Sequence, residues 1–163
     1  MSPDRLADEL RLKHPRCTRP PVDIVSITRR YGIQILQWAF IDSEICGLLH
    51  WIDNVPVIIL NARHSWARKR FTLAHELYHY LVNMPSPQAA LMFKRGNPPK
   101  NAERNADRFA ACLLMEAGLV SEFAKRGLSA DAIARRLCVS KSAMGIRLKE
   151  LELVTNTKAG VRE

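Results

Sequence analysis

The run HELYH at residues 75–79 constrains this chain more than any other feature. His75 and His79 are four apart, so on a helix they lie one turn apart on one face and can grip a single metal ion. Glu76 stands beside them. The flanking residues make the helix amphipathic: Phe71, Ala74, Leu77, Tyr78 and Leu81 fall on one arc, and Thr72, His75, Glu76 and His79 on the adjoining one. One face is core and the next is chemistry. A chain with five histidines can place two of them four apart by accident. The accident would also have to supply Glu76 and keep both histidines off the buried stripe.

Two histidines leave a third protein ligand to be found, and open catalytic zinc sites commonly add a glutamate. The pattern predicts a second helix from about Lys100 to Glu116, on which Glu103, Ala106, Asp107, Ala110 and Leu114 share a face. Small residues let two helix backbones approach closely, as they must if a carboxylate on one is to reach a metal held by the other. Glu103 is the expected third ligand. Asp107, one turn on and on the same face, is its closest rival, and Glu116 lies too far along.

Ahead of the HELYH helix, Ser2 caps an expected helix from Pro3 to Lys13 that Pro15 ends, and Val22 to Tyr31 suits a second helix closed by Gly32. The period then changes to that of strands: Ile33 to Trp38, Ile45 to Ile52 and Val55 to Asn61, with Asp53-Asn54 as a two-residue turn. Pro56 hints at a strand start or an edge. Arg63, Arg68, Lys69 and Arg70 oppose the dipole of the helix they begin and are expected to reach solvent. The proline-rich segment after Asn83, with a short apolar piece from Ala89 to Phe93, reads as a loop between the two ligand helices. It is either a rim of the cleft or a plain connector.

Further on, Ser129 and Ser140 cap two helices, one through Leu137 and one from Lys141 to Leu153. The pair resembles a helix-turn-helix in which Lys141, Ser142, Arg147 and Lys149 could face phosphates. Its turn lacks glycine and too little follows Thr155 to build a wing, so closure of the fold is the preferred reading and nucleic-acid contact the lesser one.

The expected fold class is therefore α+β: a small, mostly antiparallel three-stranded sheet packed on the metal helix, followed by a helical C-terminal part. At 163 residues and 47% hydrophobic content, one domain spanning 1–163 is the default. Within it, 1–62 forms the N-terminal helices and sheet, 63–118 the ligand helices and 119–163 the C-terminal helices. The first twenty residues carry no signal-like apolar run, and the longest apolar run, Val55 to Leu60, is far too short to span a bilayer. A cytoplasmic protein without membrane contact is expected. Cys17, Cys46, Cys112 and Cys138 contain no C-x-x-C pair and read as free, mostly buried thiols. The net charge of +9 suits an acidic partner or nucleic acid, yet the basic residues are spread without forming one stripe.

FTLAHELYHYL at 71–81, ERNADRFAACLLM at 103–115 and PVIILN at 56–61 together resemble the ImmA/IrrE family of zinc metallo-endopeptidases. The resemblance implies a zincin-like fold, with zinc on His75, His79 and Glu103 and with Glu76 as general base. It also implies, as substrate, a helix-turn-helix repressor of the XRE type, cut to relieve repression of a mobile-element or stress regulon. Manganese or iron could occupy the same nitrogen and oxygen donors. The family usually has proline after Leu-Leu-Met, where this chain has Glu116, which leaves the following turn open. A rival reading from another class is a DNA- or repressor-binding regulator whose metal site is structural or vestigial. The sequence is silent on oligomeric state and on the oxyanion-stabilising residue, for which Tyr80, His64 and Arg108 qualify only by type.

Overall fold

Local chemistry sets the ends of most helices. The structure, a computed structural model, describes residues 2–14, 19–83 and 101–153. Helix α1 (Pro3–Lys13) starts where the Ser2 hydroxyl accepts from the Arg5 N–H, and α2 (Ile24–Arg30) where the Asp23 carboxylate accepts from the Ser26 N–H. The second helix is thus shorter at both ends than the apolar pattern suggests, because Asp23 takes the cap. Gly32, at φ 73°, turns the chain out of it.

Three strands follow: β1 (Gln34–Trp38), β2 (Gly47–Ile52) and β3 (Val55–Asn61). Asp53 and Asn54 both adopt positive φ, 47° and 64°, the conformation of a tight hairpin turn, and β2 pairs antiparallel with β3. The expected mostly antiparallel sheet is instead evenly mixed. Its order is β1-β3-β2, and β1 pairs parallel with β3. The chain between β1 and β2 must therefore carry β2 past β3 to the far edge, and no local pattern in the sequence signals that crossover.

Pro56 consequently lies in the central strand. Ladder pairing with β1 begins only at Val57, so the missing N–H falls beyond the end of the neighbouring strand. The proline marks a strand start, as one of the two readings had it, and not an edge.

Helix α3 (Trp66–Asn83) carries HELYH and packs on α4 (Ala102–Leu114). Ala106 and Ala110 are fully buried between them, and the Tyr78 and Phe109 rings meet at 5.4 Å between centroids. Three short helices complete the described chain: α5 (Ala117–Lys125), α6 (Ala130–Leu137) and α7 (Lys141–Glu150). The core is one continuous apolar cluster, running from Ala7 and Ile27 through Ile58, Leu77 and Leu113 to Ile133 and Met144.

Glu116, where the family usually has proline, keeps the turn into α5. Its φ of −56° is one that proline would share, and its carboxylate accepts from the Gly118 and Leu119 N–H groups at 2.6 Å each. Cys138 does the work expected of a glycine between α6 and α7, at φ 51°.

Arg70 departs from its expected place in solvent, and Arg147 from the phosphate-facing one of the helix-turn-helix reading. Arg70 is buried and donates to the carbonyls of Val22 and Cys138 at 2.9 and 3.1 Å, joining α3 to the N-terminal segment and to the α6–α7 turn. Arg147 is buried as well. It donates to the Met115 carbonyl at 3.0 Å and pairs with Glu150 at 3.2 Å, so it holds α7 to the end of α4 and does not face a phosphate. Lys69 reaches the Gln37 side chain at 2.9 Å, and Arg68 lies 3.2 Å from the Cys46 sulfur.

Of the cysteines, Cys112 is buried, whereas Cys46 and Cys138 are only partly covered. Pro15, Cys17, the segment from Ala89 to Phe93 and the end of the chain after Thr155 lie outside the described residues. No helix among the described residues is long and apolar enough to cross a membrane.

Candidate metal centre

The pairing of α3 with α4 brings the expected ligands together. His75 and His79 face each other through Nε2 at 3.1 Å. Glu103, in the first turn of α4, reaches both, with Oε2 3.1 Å from His75 Nε2 and Oε1 3.3 Å from His79 Nε2. One donor atom from each residue lies within 4.8 Å of the others, as the sharing of a single ion requires. The histidines are largely covered, while Glu103 is exposed on the open side.

Asp107 is placed otherwise than as a rival ligand. Its Oδ1 lies 2.9 Å from His75 Nδ1, the nitrogen turned away from the cluster. In the neutral ring Nδ1–H donates to Asp107 and Nε2 is left as a bare acceptor, facing a carboxylate and a second imidazole. Such a set needs a shared proton or a cation to hold it, and two imidazoles with a carboxylate are donors that a divalent transition ion accepts. The residues fit the group. The sequence put Asp107 on the right face, but periodicity does not say which ring nitrogen a carboxylate meets.

Electrostatics differ between the two rings. Burial opposes charge on His75, but the Asp107 hydrogen bond and the charges of Glu76, Asp107 and Glu103 outweigh it and raise its pKa above the ordinary value. For His79, burial and then the neighbouring His75 charge lower the pKa, against the opposite pull of Glu103 and Asp107. One ring is thus the preferred seat of a proton within the cluster.

Glu76 is not among the clustered donors. It lies half-buried under β2, where desolvation first, helped by the charge of Glu103, pushes its carboxyl up to about 7. The His75 charge and a hydrogen bond from the Leu49 N–H act the other way. A carboxylate so poised exchanges protons near neutral pH, as a general base must. The Leu49 contact was not legible in the sequence, since it depends on β2 being an edge strand.

The three side chains considered for an oxyanion are engaged elsewhere. Arg108 pairs with Asp4 at 2.8 Å, Tyr80 donates to the Tyr31 carbonyl at 3.4 Å, and His64 Nε2 contacts the Ser43 carbonyl at 3.0 Å.

The sequence matches Peptidase_M78, the IrrE N-terminal-like domain, over residues 28–149. The chain belongs to that family. The match spans both ligand helices, the sheet and the C-terminal helices, in agreement with the resemblance carried by the three motifs. Among solved structures, a Mycobacterium tuberculosis transcriptional regulator shares the fold, with a TM-score of 0.63 at 15% identity. The alignment covers 90% of this chain and 46% of that one, so this chain spans about half the length of the regulator. No curated protein matches the sequence. Family and donor set together indicate a metallopeptidase-like domain with a metal-binding cluster.

Proposed function

We propose that the protein is a zinc-dependent endopeptidase that cuts a helix-turn-helix repressor of the XRE type and so relieves repression of mobile-element or stress-response genes. The observation that carries this reading is the position of Glu76: it lies half-buried beside His75, His79 and Glu103 but takes no part in their cluster. A purely structural metal site has no use for a fourth, proton-exchanging carboxylate at that place. The cation, when bound, serves as a Lewis acid toward water and the scissile carbonyl.

The chain's own residues do the rest. Glu76 takes a proton from the attacking water and passes it to the departing amine, while the Leu49 N–H keeps its carboxylate oriented. Asp107 holds the His75 ring in one tautomer. A substrate segment has one natural seat beside Glu76. The central strand β3 is paired on both sides, so the choice falls on β2, the edge strand whose Leu49 N–H meets Glu76. In a two-residue hairpin the Ile52–Val55 pair is hydrogen-bonded. By alternation, the backbone groups of Leu49 and Trp51 then face away from β3; the Leu49 N–H serves Glu76, and the Leu49 carbonyl and both Trp51 groups are left for an added strand.

The test is to incubate the metal-loaded protein with candidate repressors and read cleavage by intact mass, alongside Glu76→Gln. The variant is expected to retain metal and lose cleavage. Turnover retained in Glu76→Gln would overturn the mechanism.

A further inference from the structure

On the far side of Asp107 from the His75 ring, a groove enclosing about 720 Å³ runs between the start of α3, the length of α4 and α7. Its floor is apolar and is drawn from all three helices: Phe71, Ala111, Met115, Ala143 and Ile146. Ile146 is 58% exposed, a large aliphatic residue turned into open space. Arg68 from α3 and Arg104 and Arg108 from α4 give it a cationic lip. Arg108 is offset by Asp4, but Arg104 is exposed and makes no ion pair or side-chain hydrogen bond among the described residues.

We infer that this groove docks an acidic amphipathic helix of the protein partner and delivers the adjoining chain to the metal centre. An apolar trough between helices is the shape that receives one face of a helix, and a cationic lip selects acidic flanks. Neither 84–100 nor 154–163, the longer stretches outside the described residues, offers an acidic segment: 154–163 sets Glu163 against Lys158 and Arg162. Residues 84–100 hold Lys94, Arg95 and Lys100 with no acidic residue, and the protein as a whole carries +9, so a second copy would meet like charge. Nucleic acid fits the arginines but not the apolar floor, which offers nothing to a phosphate backbone, whereas one apolar helix face covers it. Asp107 lines the groove and also bonds His75, so the groove opens directly beside the cluster. The inference rests on the peptidase reading only in taking the guest to be the substrate; the docking itself needs no metal.

Three labelled probes test it by fluorescence anisotropy on the full chain: a helical Leu/Glu amphipathic peptide of about 18 residues, its Leu/Lys counterpart, and a DNA duplex. The acidic peptide is expected to bind best and to weaken with salt. It should bind about tenfold less tightly to Arg104→Glu and to Ile146→Glu, both at exposed positions. Its affinity should be unchanged in Glu76→Gln and after chelation, so a failed cleavage assay would leave this result standing. Equal or tighter binding of the basic peptide or of DNA would overturn the proposal. So would acidic-peptide binding that neither groove variant weakens.

Discussion

Asp107 and Asp4 are both carboxylates near α4, and their partners separate their roles. Asp107 is exposed except for its contact with His75 Nδ1, so its removal should leave the fold alone and act on the ring. We expect Asp107→Asn to weaken metal retention by about tenfold with an unchanged circular dichroism spectrum, as read by competition with a chromophoric chelator. Asp4 instead ties α1 to α4, pairing with Arg108 and accepting from the Cys112 thiol at 3.0 Å. The Arg108 hydrogen bond is the main force that lowers its pKa from 3.8 to about 2. A depressed acid stabilises the fold above its unfolded value. That contribution is full above about pH 4 and is lost as pH falls from there toward about 2. Asp4→Asn should therefore flatten the loss of urea stability across that window. The effect is below about 1 kcal/mol because the pair is solvent-screened, and an unchanged slope would show that the pair contributes nothing to folding.

Among elements, what the sequence made legible was local. Ser2, Ser129 and Ser140 cap the helices they were expected to cap, and β3 runs over the expected residues, because a cap or an alternating strand is decided within a few positions. The HELYH spacing carried the cluster for the same reason. The parallel pairing of β1, the burial of Arg70 and Arg147 and the Leu49 contact to Glu76 were not legible, since each depends on segments far apart in the chain. Gly47 shows how tight that distant packing is. A Cβ there would lie 2.7 Å from Thr72 Cγ2 and 2.8 Å from the Ile59 carbonyl oxygen, and the latter is backbone that cannot swing away. Gly47→Ala should push β2 off α3, costing about 1–3 kcal/mol and impairing cleavage through Glu76; chemical denaturation and the repressor assay read the two effects. Arg70→Ala leaves the Cys138 carbonyl without its donor and the Val22 carbonyl with only the Ile24 N–H, and should cost about 1–3 kcal/mol. A loss under about 0.5 kcal/mol would mean that other donors reach those carbonyls.

For the whole molecule, the question is whether the fold needs its metal. In the smallest metal-dependent domains the ligands substitute for a core, and removing the ion unfolds the chain. Here α3 and α4 meet over Tyr78, Ala106, Phe109 and Ala110, all buried, and the apolar cluster continues through the sheet and the C-terminal helices independently of the donors. Metal should therefore stabilise by mass action and not by completing the fold. At a free concentration about a hundredfold above the dissociation constant, the gain is about 2.7 kcal/mol. In a domain of this size that corresponds to a thermal midpoint about 5–10 °C higher. Chelation should lower the midpoint by that amount and leave one cooperative transition. His75→Ala, lacking a donor, should melt at the same temperature with or without chelator. Scanning calorimetry of both proteins decides the matter: loss of the transition on chelation would show that the α3–α4 contact cannot stand without the ion, and an equal chelator shift in His75→Ala would place the bound ion elsewhere.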